Sequence, residues 1–201
     1  MNFMQLRERQ PKFPVTVKTG EGVVELIWNK IEYADGYRVF ASPVGKNHFV
    51  GVINVKGTTA VMKKRANGVP MQYKVKAFRI ADGPDNFFGE SEIVIACPLE
   101  TPRRLTAIVG SDGICTLSWR YNSQCDGFKI YADSNESGKY SFVCYSGKNS
   151  CRLDSFTKSG KVSFVVRSFI MTGHMEKLGV SSAPAEAVLP LSLIHISEPT
   201  R

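Results

Sequence analysis

The chain has 201 residues, is 43% hydrophobic and 22% charged, and carries a formal net charge of +8. This composition excludes a disordered chain, and the length fits two domains of about 90 residues each. The basic excess is shared, 14 Lys+Arg against 9 Asp+Glu in residues 1–99 and 11 against 8 in residues 100–190, so it favours solubility and lacks the clustered stripe of a nucleic-acid reader.

Residues 1–11 read as an N-terminal extension. They hold neither the apolar stretch nor the small-residue cleavage site of a secretion signal, so none is expected in this chain. No stretch approaches the roughly 20 apolar residues of a membrane span. From residue 12 an alternating pattern sets in. Val24, Leu26 and Trp28 are spaced by two and share one face of a strand. Tyr37, Val39 and Ala41 alternate with Arg38, and Tyr73, Val75 and Ala77 alternate with Lys74 and Lys76. Turn signals fall between these runs, among them Asp35-Gly36, Asn67-Gly68 and Asp82-Gly83. Seven strands are predicted near residues 14–18, 22–28, 36–42, 47–55, 58–63, 71–80 and 91–97. No window sustains a helical period.

Pro98 and Pro102 mark a short junction. Proline has no amide N–H and cannot extend a ladder, so it ends one domain (residues 12–98) and opens the next (residues 102–190). The second domain repeats the first at a spacing of 91 residues. Trp28 pairs with Trp119, Gly36 with Gly127, Tyr37 with Phe128 and Val39 with Ile130. The run from Tyr73 to Phe78 pairs with that from Phe164 to Phe169, and Gly89-Glu-Ser91 pairs with Gly179-Val-Ser181, one residue short. A fixed period of this length marks two copies of one folding unit. Seven further strands follow, near 104–109, 113–119, 127–133, 140–146, 149–154, 162–171 and 181–188. Residues 191–201 do not continue the repeat. They resemble translated sequencing-adapter read-through and read as an artefactual tail, so the natural chain is expected to run on.

The Leu-x-Trp of each second strand, the Ala34-Asp-Gly-Tyr37 opening of the third, the Asn67-Gly68 turn and the Gly-x-Ser before the last strand together resemble tandem fibronectin type III domains, in a bacterial or phage style. The resemblance implies an all-β fold of two consecutive seven-stranded immunoglobulin-like β-sandwiches, with Trp28 and Trp119 inside. It also implies a tyrosine corner at Tyr73, whose hydroxyl would bond to upstream backbone; Phe164 has no hydroxyl, so the second copy is expected to lack it.

Candidate chemistry is sparse. Five cysteines, Cys97, Cys115, Cys125, Cys144 and Cys151, are odd in number and irregular in spacing, which is neither a disulfide framework nor a zinc pattern. They read as small buried apolar groups, with a Cys115–Cys125 or Cys144–Cys151 bridge as the minority reading, and free cysteines point to a reducing or anoxic setting. No nucleophile, base and orienting acid are spaced for catalysis, no phosphate loop is present, and neither a cofactor nor a metal is expected. Lys63, Lys64 and Arg65 form the densest basic run, read as a solvated turn, a junction ion pair or an anion site. The loops before the seventh strands carry the binding expectation through Asp82, Phe87 and Phe88 in the first copy and His174 and Met175 in the second.

The leading function is a non-enzymatic spacer or protein-interaction unit of a larger surface, secreted or phage structural protein, monomeric as a fragment. The alternative is a carbohydrate-binding accessory module of a polysaccharide-degrading enzyme, which calls for exposed coplanar rings among Phe87, Phe88, Tyr121 and Tyr140. Nucleic acid is not an expected partner. The parent protein is expected to be extracellular or part of a virion.

Overall fold

The computed structural model describes residues 12–83, 86–154 and 160–190. These divide into two compact units, the described parts of Met1–Glu100 with Met171–Lys177 and of Thr101–Ile170 with Leu178–Arg201. The predicted extension at residues 1–11 and the tail at 191–201 lie outside the described residues.

The first unit contains β1 (Val15–Gly20), β2 (Val23–Trp28), β3 (Gly36–Pro43), β4 (Val50–Val55), β5 (Thr59–Met62), β6 (Met71–Phe78), β7 (Phe87–Glu90) and β8 (Val94–Ala96). One sheet has the order β1-β2-β5. The other runs β4-β3-β6-β7, and β8 also pairs with β6. All strand pairs between these elements are antiparallel. Period-two alternation sends Val24, Leu26 and Trp28 of β2 inward against Tyr37 and Val39 of β3 and Tyr73 and Val75 of β6. Trp28 is 4% exposed. Its ring meets Tyr37 edge-on at 5.3 Å, a geometry that adds to the area both rings bury.

The second repeat has the same arrangement, with β9 (Arg103–Val109), β10 (Cys115–Arg120), β11 (Gly127–Asp133), β12 (Ser141–Ser146), β13 (Ser150–Leu153), β14 (Gly160–Thr172), β15 (Met175–Leu178) and β16 (Ala185–Leu189), and it makes up the second unit save for Met171–Lys177 of the β14–β15 hairpin. Its sheets are β13-β10-β9 and β12-β11-β14-β15, with β16 also on β14. Trp119 is 5% exposed and stands 5.1 Å from Phe128, matching Trp28 and Tyr37. Cys115 is fully buried in this core, and Cys125, Cys144 and Cys151 pack against it partly buried.

Three expectations need correction. The strands predicted at 91–97 and 181–188 are present as β8 and β16, and a further short strand, β7 or β15, precedes each across a break. In the first unit the break falls at Ser91, whose backbone N–H donates to the Val75 carbonyl (2.8 Å) while its hydroxyl accepts the Val75 N–H (2.9 Å). The side chain takes a place in the ladder that backbone would fill, and the strand kinks there. In the second unit Ser182 does the same for Val166, at 2.9 and 3.0 Å. The partner of Ser91 is therefore Ser182 rather than Ser181: the second unit regains its missing residue inside the kink.

The loop expected before the last strand is largely strand in the second unit, whereas in the first only its end, from Phe87, is strand. Phe87 opens β7, and β14 and β15 form a hairpin closed by the two residues Gly173 and His174. Gly173 has φ of +65°, which glycine adopts without steric cost. Finally, a tyrosine hydroxyl bonded to upstream backbone is found at Tyr37, which accepts the Ile31 N–H at 2.8 Å. Tyr73 contributes its buried ring to the core.

Candidate functional site

The residues singled out from the sequence do not converge on one site. Asp82 ends a short 3-10 turn and pairs with Arg79 at 3.4 Å. Phe88 is 3% exposed and belongs to the core, so it offers no anchor to a ligand. His174 and Met175 are exposed at the β14–β15 turn. Lys63, Lys64 and Arg65 are exposed between β5 and β6, as the order of elements predicts. The Arg65 N–H donates to the Gly22 carbonyl (2.9 Å) and Asn67 Oδ1 accepts the Gly22 N–H (2.8 Å), which fastens this turn to the β1–β2 turn. Beside it lies a cleft of about 290 Å3 lined by Lys64, Arg65, Val69, Met71, Tyr73 and Pro98. Burial pushes the Tyr73 phenol up, against the opposing pull of the Arg65 charge.

Phe87 is half-buried on the outer face of the sheet containing β3 and β6. It meets Phe40 at 5.5 Å and Phe78 at 6.4 Å, and the Arg38 guanidinium lies 5.4 Å from its centre. Lys74 and Lys76 reach Glu90 at 3.2 and 3.0 Å on the same face. Burial pushes the Glu90 carboxyl up, but the two ammonium groups outweigh it and hold the group below its usual value. In this unit the outer rings are thus covered by β7 and by paired charge.

The corresponding face of the second unit is open. Phe142 and Tyr145, both on β12, are 48% and 59% exposed. Residues three apart on a regular strand point to opposite faces. Here Ile130 pairs with Cys144 and Tyr131 with Phe142, so Val143 is an extra residue, a β-bulge. The bulge turns Phe142 and Tyr145 to the same side. Their rings lie 4.8 Å apart, Tyr131 joins Phe142 at 5.9 Å, and Phe169 joins Tyr145 at 5.9 Å. Lys129 Nζ sits 5.2 Å from the Tyr145 ring and 5.9 Å from that of Phe142. A stripe of four rings with a cation at its centre crosses β12, β11 and β14.

The first unit has the same bulge, at Val52, but sets Gly51 and Asn54 opposite Phe40 and Arg38 where the second sets Phe142 and Tyr145 opposite Tyr131 and Lys129. Counting back from Gly179, Lys177 takes the place of the covering Phe87. Sequence reading missed this stripe because the spacing of Phe142 and Tyr145 reads as two faces until the bulge is seen. The signal that was available is the pair of substitutions itself: aromatic residues in the second copy where the first has glycine and asparagine.

The rings named for a sugar platform do not form one. Phe88 and Tyr121 are buried, the latter 7% exposed and packed edge-on against Phe128. Tyr140 bonds through its hydroxyl to Ser163 at 2.9 Å. At the end of β11, the Asp133 carboxylate accepts the backbone N–H groups of Asn135 (3.0 Å) and Gly138 (2.6 Å) and the Ser137 hydroxyl (3.2 Å). The Asn135 N–H, foremost among these, holds the carboxyl below its usual value. The loop leading to β12 is shaped around that side chain. Among the described residues no three His, Cys, Asp or Glu side chains come together as a metal site.

No family model matches the chain, and no curated protein matches it. Among solved structures it is similar to the FN1–FN3 domains of chicken CNTN1, a contactin, at 18% identity and a TM-score of 0.39, covering 89% of this chain and 66% of that one. It is similar to a two-domain fibronectin type III segment of chicken tenascin at 18% identity and a TM-score of 0.47, covering 89% of this chain and 98% of that one. The chain therefore spans just under two thirds of the contactin segment and nearly all of the tenascin one. Strand order and register by themselves make the fold two consecutive immunoglobulin-like β-sandwiches of the fibronectin type III kind.

Proposed function

We propose that this chain is a non-enzymatic spacer and interaction module of a larger surface, secreted or virion protein, and that its second unit docks a protein partner on the aromatic face of β12, β11 and β14. The observation that supports this reading is the exposure of Phe142 and Tyr145 beside Lys129. Exposed aromatic residues are the composition that carries binding energy at protein interfaces. A partner surface with apolar anchors for the rings and carboxylates around them is complementary to this face. A sugar fits less well, since the Phe142 and Tyr145 rings are tilted by 58° and those of Tyr131 and Phe142 by 76° and offer no common plane.

The test is a calorimetric titration of the full chain with an acidic peptide bearing a leucine or phenylalanine anchor, and with the same peptide carrying lysine for each carboxylate. The acidic peptide binds and the basic one does not. The F142S/Y145S double variant loses at least about tenfold in affinity, the loss of one hot spot. Equal binding of both peptides, undiminished binding by the variant, or no binding of the acidic peptide overturns the reading.

A further inference from the structure

The Sγ atoms of Cys144 and Cys151 stand 3.3 Å apart in the second unit. Cys144 lies on β12, an end strand of one sheet, and Cys151 on β13, an end strand of the other. The pair thus bridges the side of the sandwich where, among the described residues, no backbone ladder joins the two sheets. The crossover between the two strands is held in place by Ser146, whose hydroxyl donates to the Ser150 carbonyl (2.7 Å) and accepts the Lys148 N–H (3.1 Å). The repeat supplies the comparison. At the spacing of 91, the same positions in the first unit hold Ile53 and Ala60, which both belong to its apolar core. Both of these apolar positions hold thiols in the second unit.

We infer that Cys144 and Cys151 form a redox-closable staple, a site of reversible disulfide formation that fastens β12, the strand carrying Phe142 and Tyr145, to the opposite sheet. Closing the bond needs the sulfurs to approach by only about 1.3 Å, to the 2.03–2.05 Å of a disulfide. Both residues are half-buried rather than sealed in, whereas Cys97 and Cys115 are buried. The oxidant is a low-molecular-weight disulfide such as oxidised glutathione. The Cys151 thiolate attacks one sulfur of that disulfide, its S–S bond breaks, and one thiol leaves after taking a proton. Cys144 then gives up its proton to solvent and attacks Cys151 Sγ, and the second thiol leaves. Two protein thiols and one small disulfide become one protein disulfide and two small thiols. Burial, then the bond to Cys151, pushes the Cys144 thiol up to about 12. Cys144 is therefore the poorer first nucleophile of the pair, and because a thiolate attacks in each step the overall rate rises with pH.

The experiment incubates the full chain in its native state with oxidised glutathione at pH 7.5 and 8.5, followed by alkylation, intact mass and peptide mapping. The expected product has lost two hydrogens, links Cys144 to Cys151, forms faster at the higher pH and is reversed by dithiothreitol. It melts roughly 5–15 °C higher in the second unit's transition. The comparison variant C144I/C151A carries the pair native to the first unit, so it folds, and it yields no intramolecular disulfide. A link between Cys115 and Cys151, a glutathione adduct that does not resolve, or folded protein with no change of mass overturns the assignment.

Discussion

A Cβ placed on Gly36 would stand 2.6 Å from Cζ of Phe78, across the β3–β6 ladder. The same relation recurs one repeat later, where a Cβ on Gly127 would lie 3.0 Å from Cε1 of Phe169 and 3.0 Å from the Ser146 carbonyl oxygen. Each glycine is required by a ring lying over it, and in the second unit that ring extends to Tyr145. Gly36→Ala is expected to destabilise the first unit by about 1–3 kcal/mol, the usual cost of overpacking. Gly127→Ala acts on the second unit at least as strongly, because a backbone oxygen cannot swing aside. Urea unfolding of each variant checks both values, and an unchanged midpoint for either refutes the packing role.

Removing the kink serines leaves a buried backbone donor without its acceptor. Ser91→Ala and Ser182→Ala orphan the N–H groups of Val75 and Val166, and each is expected to cost about 1–3 kcal/mol. Native-state hydrogen exchange gives a site-specific reading: the Val75 and Val166 amides lose protection in the respective variant, whereas amides of the other unit do not.

Tyr37→Phe keeps the ring against Trp28 and deletes only the acceptor for the Ile31 N–H. A loss of about 0.5–1.5 kcal/mol is expected. Tyr73→Phe serves as the comparison. A larger loss at Tyr73 than at Tyr37 in thermal melts would restore the tyrosine-corner expectation.

Asp133 couples the β11–β12 loop to pH. Its carboxyl is held below the ordinary aspartate value of about 3.9, so the folded state binds its proton less readily than the unfolded chain. The stabilisation is complete above that ordinary value and is lost as pH falls through the lower folded value. Asp133→Asn is therefore expected to melt below the wild type at pH 7, with the gap narrowing as pH drops below about 4. A gap independent of pH means that the loop depends on the shape of the side chain rather than on its charge.

Period-two alternation made the strands readable, since in β2 and β10 it maps directly onto burial: Val24, Leu26 and Trp28 in the first unit, Cys115, Leu117 and Trp119 in the second. Whatever broke that period stayed hidden. The Ser91 and Ser182 kinks replace a backbone bond with a side-chain bond, and hydropathy carries no trace of the exchange. The β14–β15 hairpin turns in two residues, so the segment from Ile170 to Gly179 looks like a loop by composition while most of it is strand. The adjacent Phe87 and Phe88 take opposite faces as a strand requires, one half-covered on the outside and one in the core. The aromatic stripe was least visible of all, because the extra residue Val143 reverses the parity by which Phe142 and Tyr145 would be sorted.

Val52 and Val143 interrupt their strands at the same register, yet only one interruption displays rings. The distortion thus belongs to the duplicated backbone, and the recognition chemistry mounted on it belongs to a few interchangeable side chains. A grafting route follows: phenylalanine and tyrosine installed at Gly51 and Asn54, with Phe87 trimmed back, would give the first copy a paratope of its own. Duplication here has kept the mounting and freed the cargo to diversify.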